Sequence, residues 1–388
     1  MNQQRKQTPN TRKRIADEIM TQIGKSVILV FVLVAAVAIF MVASTIISSK
    51  EKELTLESKA ASNQLTAFID QYTRGAEQLA VNPDIIQLMN ETKPGDYILK
   101  SKKMESVMKY LVSIANTDTE NVMAVWISDL DASVLAQSDG YISGEGWDIT
   151  GRGWYGCITE QKTILTAPYI DSSTGKMILS AASPVYDEAT GEVLGAVGMD
   201  ISLDHMTNIM RDYKIGRNGY ILLLSENGTF LYHPENDFIQ KNIKDVNLSQ
   251  NVVDAVSSKR SEFLKYKVNG TTKYGSLELV GDTGYLVLSS LPMSEYYAML
   301  IAMIIAMIIL FAVGILLIAL SIRRSAANLT KPILALNHTA QQLAAGNLDV
   351  RLEITSNDEI GELGESIGKT VSRLKEYIVY IDETAETL

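Results

Sequence analysis

A glycine-rich stretch, residues 140–175, concentrates side chains that can bind a small zwitterion. The polar and aromatic candidates here and at the end of a later apolar run are Trp147, Arg152, Trp154, Tyr155, Tyr169, Asp171 and Asp200. A guanidinium binds a carboxylate through two parallel hydrogen bonds, aspartates bind an ammonium group, and aromatic faces attract a cation by about 0.5–2 kcal/mol. These residue types suit a pocket for an α-amino acid. At this level the alternative is that Trp154 and Tyr155 are core residues and that Arg152 forms a surface ion pair.

Strand patterns surround this stretch and must position it. The apolar runs of a first unit are residues 122–138, 176–187 and 191–202, the first of them folded around a Ser-Asp-Leu-Asp turn. Runs in the same order form a second unit at residues 220–234, 262–279 and 284–292. A helical segment, residues 203–213, separates the units, and Asn227-Gly228 supplies a hairpin turn in the second. The repetition predicts two small antiparallel-sheet lobes rather than the alternative, one large mixed domain.

Two uncharged apolar segments, residues 27–48 and 297–322, are each long enough to cross the roughly 30 Å hydrocarbon core of a bilayer. The alternative, a buried core helix, rarely reaches this length without a polar face. The apolar run of the first segment exceeds the roughly 7–15 residues of a signal peptide, and no small-x-small cleavage site follows it. We therefore interpret both segments as retained membrane helices.

Basic residues near the two segments predict how the chain is oriented. Those that precede the first segment are Arg5, Lys6, Arg12, Lys13, Arg14 and Lys25. Those that follow the second are Arg323, Arg324 and Lys331. Because cytoplasmic flanks are enriched in Lys and Arg, both termini are predicted to be cytoplasmic and residues 49–296 to be extracytoplasmic. Apolar residues at steps of three and four from Ala61 to Leu79 predict a long helix after the first segment, ended by Asn82-Pro83.

Composition and missing motifs exclude several classes of function. The net charge of −10 disfavours a nucleic-acid partner, and the single cysteine, Cys157, excludes an intrachain disulfide. The sequence has no metal-ligand spacing, Walker loop or nucleophile-and-base arrangement. We therefore expect no catalytic residues, no metal and no cofactor, and a protein that is not an enzyme.

The tail after residue 323 has a helix–linker–helix pattern. Apolar residues of its second helix recur at steps of three and four from Ile360 to Ile381, as in a coiled-coil seam. This tail resembles the HAMP relay module, and its matching marks are Pro332, Gly346, Asp358 and Glu359. Two short helices cannot bury both seams alone, so a parallel four-helix bundle in a homodimer is expected. The alternative is an ordinary amphipathic hairpin.

Residues 49–296 resemble the double Cache sensor domains of bacterial chemoreceptors and sensor kinases. The residues that carry the resemblance are Arg152-Gly-Trp154-Tyr155, Tyr169-Ile-Asp171 and Asp200 at the end of GAVGMD. The resemblance implies an α+β fold with two PAS-like antiparallel-sheet lobes on a long helix, flanked by two transmembrane helices and followed by a helical HAMP coiled coil. It also implies that Arg152 and Trp154 hold the ligand carboxylate. The residues implied to hold the amino group are Tyr155, Tyr169, Asp171 and Asp200.

One position departs from the family pattern. The family usually has Tyr five residues before the Arg, and this chain has Trp147 there. An indole has no hydroxyl, so the resemblance leaves the coordination of the ammonium group and the ligand size open. Arg152 itself argues against a simple amine, which offers it no carboxylate.

The predicted organisation has six parts. They are a cytoplasmic segment (1–26), a membrane helix (27–48), the outer domain (49–296, with a distal lobe at about 80–202 and a proximal lobe at about 203–295), a second membrane helix (297–322), HAMP (323–376) and the start of a signalling helix (377–388) without an output domain.

The predicted function is that of a multi-pass cell-membrane chemoreceptor. It binds an amino acid or close analogue in the distal lobe, signals through HAMP as a homodimer and reaches chemotaxis kinase and adaptor proteins through an output domain. One alternative is the input half of a histidine kinase or diguanylate cyclase. Another is a membrane-tethered binding protein that does not signal.

Overall fold

The structure is a computed structural model that describes residues 15–94, 98, 101–144, 147–171, 174–350 and 358–386. It divides into two compact units. The central unit comprises residues 45–299, and the terminal unit comprises the described residues before 45 and after 299. All candidate binding residues belong to the central unit. The basic residues Arg5, Lys6, Arg12, Lys13 and Arg14 lie outside the described residues, as do residues 351–357 in the linker of the tail.

A long helix, α1 (Ile15–Ala80), provides the apolar stripe of the central unit. The side chains of this stripe, spaced by three or four residues, are buried at Ala61, Leu65, Ile69, Tyr72, Ala76 and Leu79. The helix ends where Asn82-Pro83 predicted it would, because the Asn82 side chain accepts hydrogen bonds from the backbone N–H groups of Asp84 and Ile85 and so begins a new helix. The helices that follow are α2 (Pro83–Glu91) and α3 (Met104–Ala115).

The first lobe contains a six-stranded antiparallel sheet in the order β2-β1-β6-β5-β3, with β4 also paired to β5. Its strands are β1 (Val122–Asp129), β2 (Val134–Gln137), β3 (Ile164–Leu165), β4 (Tyr169–Ile170), β5 (Met177–Tyr186) and β6 (Val193–Ser202). Asp200 on β6 pairs with Ala124 on one side and with Ser180 on the other, so it lies in the middle of the sheet. A short helix, α4 (Gly156–Glu160), lies between β2 and β3 in the chain.

The second lobe repeats this arrangement. After α5 (Leu203–Asp212) its strands are β7 (Lys214–Ile215), β8 (Gly219–Leu224), β9 (Phe230–Tyr232), β10 (Glu262–Val268), β11 (Thr271–Leu279) and β12 (Leu286–Pro292). They form a six-stranded antiparallel sheet in the order β10-β11-β12-β8-β7, with β9 also paired to β8. Helix α6 (Gln250–Ser257) lies between β9 and β10 in the chain. The prediction of two antiparallel-sheet lobes on a long helix is confirmed.

The sheets divide their side chains between separate cores. In β1, Val125 and Ile127 belong to the largest core, which also contains the buried stripe of α1 and residues of both lobes. Trp126 points to the other face, as strand alternation requires, and joins a cluster with Leu135, Trp154 and Cys157. The glycine-rich stretch lies over this second face and contributes Trp154 and Cys157 to it.

The terminal unit contains α8 (Ala298–Ala344) and α9 (Glu359–Glu386) together with the beginning of α1. Helices α1 and α8 each contain an apolar window of membrane-spanning length, and no part of either window is buried. Phe31 meets Phe311 edge to face at 6.0 Å, and Phe31 also lies against Gly314, where an added Cβ would approach its ring to 3.1 Å. Exposed apolar helices with satisfied backbones suit a lipid environment rather than water.

The relay marks lie inside α8, just after its end and at the beginning of α9. Pro332 lies inside α8, and Gly346 follows its end with φ of +86°, a left-handed conformation that favours glycine. Asp358 begins α9, because its carboxylate accepts the backbone N–H groups of Ile360 and Gly361. Glu359 is the first residue of α9, where a negative charge complements the helix dipole.

A short helix, α7 (Met293–Tyr296), follows β12 in the chain and precedes α8. Strand β12 thus leads through α7 into α8 within a few residues.

Candidate ligand-binding site

A cavity of about 540 Å³ lies over the Trp126 face of the first lobe. Six of the seven residues predicted from the sequence line it, namely Trp147, Arg152, Trp154, Tyr169, Asp171 and Asp200. Other lining residues come from the first hairpin and its return loop, namely Trp126, Leu135, Gln137 and Tyr141, and from the segment between β3 and β4. The volume is typical of a pocket for a small molecule.

Asp200 is the buried charge of this cavity. Its Oδ1 accepts the indole N–H of Trp126 at 2.9 Å and the hydroxyl of Ser180 at 2.6 Å. Both bonds end on the same oxygen, which leaves Oδ2 of this cavity-lining carboxylate available to a ligand. Burial raises the pKa of Asp200 to about 6, although the two hydrogen bonds oppose the shift. At neutral pH the group is a desolvated anion that a bound cation would stabilise.

Tyr169 joins Asp200 through Ser180. The hydroxyl of Tyr169 lies 2.8 Å from Oγ of Ser180, and Tyr169 is the donor because the Ser180 proton points to Asp200. Burial raises the pKa of Tyr169, and the negative charge of Asp200 adds to the shift. Tyr169 therefore remains a neutral phenol and fixes the orientation of the serine.

Asp171 lies at a turn directly after β4. Its Oδ2 accepts the backbone N–H of Thr174 at 2.9 Å and the Thr174 hydroxyl at 2.6 Å. The turn is closed by the N–H of Gly175, which donates to the Asp171 carbonyl oxygen at 2.9 Å. These bonds hold a second carboxylate at the cavity wall.

Arg152 lies on the side of the cavity formed by the three indoles. Its guanidinium carbon is 4.6 Å from the centre of the Trp147 ring, a cation–π contact. Trp154 packs on Trp126 at 4.7 Å and on Trp147 at 6.2 Å between ring centroids. The Trp147 contact holds the exposed guanidinium over an aromatic face, from which it can bind a carboxylate.

Two indole positions differ in how their N–H groups are used. Nε1 of Trp126 bonds Asp200, whereas Nε1 of Trp147 is buried without a partner among the described residues. The contact of Trp147 with Arg152 is made by its ring face. The seventh predicted residue, Tyr155, packs against the cluster beneath the cavity and is not among the described residues that line it.

Sequence reasoning missed Trp126, Gln137, Tyr141 and the serine that bridges Tyr169 and Asp200. Trp126 is 74 positions from Asp200 and lies within an apolar strand, where a tryptophan is ordinarily a core residue. The signal that could have found it is the alternation of β1, which places Trp126 on the face opposite to Val125 and Ile127.

Comparison with known families agrees with this architecture. The dCache_1 model, described as a Cache domain, matches residues 43–300, which is more than half of the chain. The chain belongs to the Cache domain family. A HAMP domain matches residues 324–376 of the same Cache protein.

Curated relatives of this Cache protein are methyl-accepting chemotaxis proteins. PscA of Pseudomonas syringae pv. tomato is 31% identical over 252 residues, which cover 62% of this chain and 38% of that protein. PctB of Pseudomonas aeruginosa is 30% identical over 255 residues, with the same coverage of 62% and 38%. The Cache protein thus spans well under half of the length of these relatives.

Among solved structures, the extracellular domain of mmHK1S-Z2 has a similar fold. It covers 63% of this chain and 98% of its own chain, with a TM-score of 0.51 and 19% sequence identity. At this identity the similarity supports the Cache fold alone. The relatives and the two apolar helices together identify a membrane protein with a Cache sensor fold and a HAMP segment.

Proposed function

We propose that this Cache protein is the sensory part of a transmembrane chemoreceptor and that it binds an amino acid in the first lobe. The observation that carries the proposal is one cavity lined by Arg152, Asp171 and Asp200 together with three indoles. An α-amino acid offers a carboxylate to the guanidinium and an ammonium group to the carboxylates, so both charges of the ligand find a partner. The names of the curated relatives, methyl-accepting chemotaxis proteins, support the same class of function.

The charges in the cavity also limit the side chain of the ligand. The described lining residues include two carboxylates and one guanidinium. A ligand with an acidic side chain would place a second negative charge beside Asp171 or Asp200 without a second cation to bind it. We therefore propose amino acids with a neutral or cationic side chain, and the aromatic and aliphatic wall favours an apolar or long one.

The proposed signal passes to a dimeric relay. A groove between α8 and α9 is lined by Ile333, Leu336, Asn337, Ala340, Glu359, Ile360, Leu363 and Ile367. The side chains of Leu363, Ile378 and Ile381 are more than half exposed. Such a seam is costly in water and is covered when two copies form a bundle, which supports the proposed homodimer. The basic residues that flank the two apolar segments support the proposal that both termini are cytoplasmic.

The test is calorimetry on the full chain in lipid nanodiscs, with L-leucine, L-arginine, L-glutamate and putrescine as probes. We expect L-leucine or L-arginine to bind, and L-glutamate and putrescine to bind at least about tenfold more weakly, a difference of about 1.4 kcal/mol. Arg152→Ala and Asp171→Ala are each expected to remove binding. Arg260→Ala is the matched control, because Arg260 is an exposed arginine of the second lobe paired with Glu262 at 3.6 Å.

The result that contradicts the site is unchanged affinity in both Arg152→Ala and Asp171→Ala. Binding of putrescine in preference to every amino acid would contradict the ligand class, because a diamine makes no use of Arg152.

A further inference from the structure

A tyrosine of the second lobe reaches the wall of the cavity in the first. Tyr285 is 4% exposed, and its hydroxyl donates to the backbone carbonyl of Thr166 at 3.1 Å. The two residues are 119 positions apart in the chain, with Thr166 directly after β3 of the first lobe and Tyr285 directly before β12 of the second. Burial raises the pKa of Tyr285, so the hydroxyl stays protonated and remains a donor.

Thr166 is part of the ligand cavity on its other side. The segment that joins β3 to β4 lines the cavity with Thr166, Ala167 and Pro168. The N–H of Thr166 donates to the Ser180 carbonyl at 2.9 Å, and Oγ1 of Thr166 accepts the Ser180 N–H at 2.8 Å. Because Ser180 also donates to Asp200, the segment that Tyr285 holds is tied to the buried carboxylate of the cavity.

On the side of the second lobe, Tyr285 is fixed at the start of β12. Its N–H donates to the Thr283 hydroxyl at 3.1 Å, and its carbonyl accepts the Val280 N–H at 2.9 Å. Strand β12 is paired on both sides, with β11 and β8, so it moves as a unit with its sheet. It leads through α7 into α8.

We propose that Tyr285 is a positioning residue that couples the ligand cavity to β12, and through β12 to α8. The proposal rests on the proposed function, because it names the path by which occupancy of that same cavity is transmitted. A ligand that pulls on Asp200 and the segment 166–168 shifts the Thr166 carbonyl, and the Tyr285 hydroxyl passes the shift to the strand. Coupling of this kind requires two arrangements of the hydrogen-bonded segment, and both the ligand cavity and β12 must shift the equilibrium between them.

The experiment is amide hydrogen exchange measured by mass spectrometry on the full chain in phosphatidylcholine nanodiscs. The readout is the exchange of the backbone N–H groups in residues 286–292, of which only Pro292 has none. Asp200→Asn serves as a perturbation of the cavity that needs no ligand, and Tyr285→Phe removes only the hydroxyl. Tyr266→Phe is the matched control, because Tyr266 is equally buried and its hydroxyl donates to Ser289 within the second lobe.

We expect Asp200→Asn to change the exchange rate of residues 286–292 by about fivefold or more, the lower end of ordinary coupling between sites. The same change should be absent when Asp200→Asn is combined with Tyr285→Phe and retained when it is combined with Tyr266→Phe. An equal response in all three backgrounds, or none with Tyr285 present, overturns the proposal.

A second arm uses 10 mM L-leucine and 10 mM L-arginine in place of the cavity mutation. In Tyr285→Phe the Kd measured by calorimetry should stay within about tenfold of the wild-type value, because the variant loses only the coupling free energy and not the ligand contacts. The exchange response at residues 286–292 should be lost. A response at these residues that survives Tyr285→Phe overturns the coupling role. If neither probe binds the wild type, the proposed function fails, and the mutational arm still decides the role of Tyr285.

Discussion

The first lobe encloses a cavity of about 540 Å³, whereas the space at the second lobe bounded by Tyr220, Phe230, His233 and Tyr266 measures about 10 Å³, although each lobe has a six-stranded antiparallel sheet. In the second lobe, aromatic rings occupy most of the space over the sheet face that corresponds to the cavity of the first lobe. His233 packs on Phe238 at 4.2 Å, and Phe230 meets Phe238 at 5.6 Å between ring centroids. A volume of that size holds about one water molecule.

The strands beneath the first cavity carry small residues instead. Ala182, Ala196 and Gly198 lie in the neighbouring strands, and a Cβ at Gly198 would collide with the Trp126 ring and the Ala181 carbonyl. Glycine therefore lets Trp126 lie flat against β6 while the space above stays open. The sheet arrangement therefore does not determine whether a lobe encloses a cavity; the side chains on its second face do.

The polar groups of the two lobes differ in the same sense. His233 has both ring nitrogens engaged within the lobe, with the Tyr220 hydroxyl at 3.2 Å and the Glu235 N–H at 3.0 Å. Burial lowers the pKa of His233, so it stays neutral at pH 7. Asp200 instead keeps one oxygen for a partner that the lobe does not supply.

Removing a ring from the second lobe tests whether space alone makes a binding site. Phe230 is 3% exposed, and Phe230→Ala is expected to lower the free energy of unfolding by about 3–5 kcal/mol, because the lost contacts leave a void. The described residues that line this space include no Arg, Lys, Asp or Glu to bind an amino acid, so no second binding event should appear. Thermal unfolding and L-leucine calorimetry on the full chain give both readouts, and a second binding stoichiometry would break the comparison.

Removing the charge from the first lobe should abolish the difference between the lobes. In Asp200→Asn the side chain still accepts from Trp126 and Ser180, but the ammonium group of the ligand loses its anion. We expect the Kd for the best amino-acid probe to rise by about 100-fold, or about 2.7 kcal/mol, as for a buried pair that loses one partner. Calorimetry measures this, and an affinity within threefold of the wild type would show that Asp200 does not bind the ammonium group.

The same substitution is expected to stabilise the empty protein. The pKa of Asp200 is raised from 3.8 to about 6, so its charged form is penalised by burial, and this cost is absent below pH 4 and complete above pH 6. Asp200→Asn should therefore raise the unfolding free energy at pH 7.5 by up to about 2 kcal/mol and have little effect at pH 4. Thermal unfolding at the two pH values is the measurement, and equal effects at both would contradict the assignment.

Affinity should fall as Asp200 becomes protonated. A ligand ammonium binds the ionised carboxylate, so the affinity is expected to be nearly constant between pH 7 and pH 8 and to fall about tenfold between pH 7.5 and pH 5. Asp129 also has a pKa raised to about 6 by burial, but it is not among the described residues that line the cavity. The loss should therefore persist in Asp129→Asn, and its disappearance there would move the effect away from the cavity.

The smallest expected effect concerns Trp147. In the native protein the guanidinium carbon of Arg152 lies 4.6 Å from the centre of the Trp147 ring. Trp147→Tyr keeps an aromatic face beside Arg152 but weakens the cation–π attraction. We expect a two- to fivefold change in Kd, about 0.5–1 kcal/mol. Calorimetry with L-leucine and L-arginine measures it, and a loss as large as that of Arg152→Ala would give Trp147 a direct role in binding.

Much of the fold was predictable because strong local patterns set it. The turn at Asn227-Gly228, with φ of +83° at the glycine, and the end of α1 before Asn82 follow from residues that act within a few positions of themselves. The two lobes likewise follow from repeated apolar runs. Domain boundaries and the roles of the site residues stay predictions.

The site was only partly predictable because its parts meet through the sheet. A motif in one loop gave Arg152 and Asp171, whereas Trp126 becomes a site residue only through the pairing that places β1 beside β6. His233 lies directly after β9, and the structure buries it among aromatic rings. Both outcomes depend on which strand face is covered, which single-sequence patterns do not specify.

The solitary thiol of Cys157 has a practical consequence for all of these measurements. It is fully buried, and burial raises its pKa to about 12, so almost none of it is thiolate at pH 7. An introduced cysteine is therefore the one group that a maleimide dye modifies in the native chain. A maleimide dye that cannot cross the membrane then shows on which side an introduced cysteine lies. Glu188→Cys, at an exposed position, should react in intact cells, and Ser366→Cys, also at an exposed position, should react only after lysis.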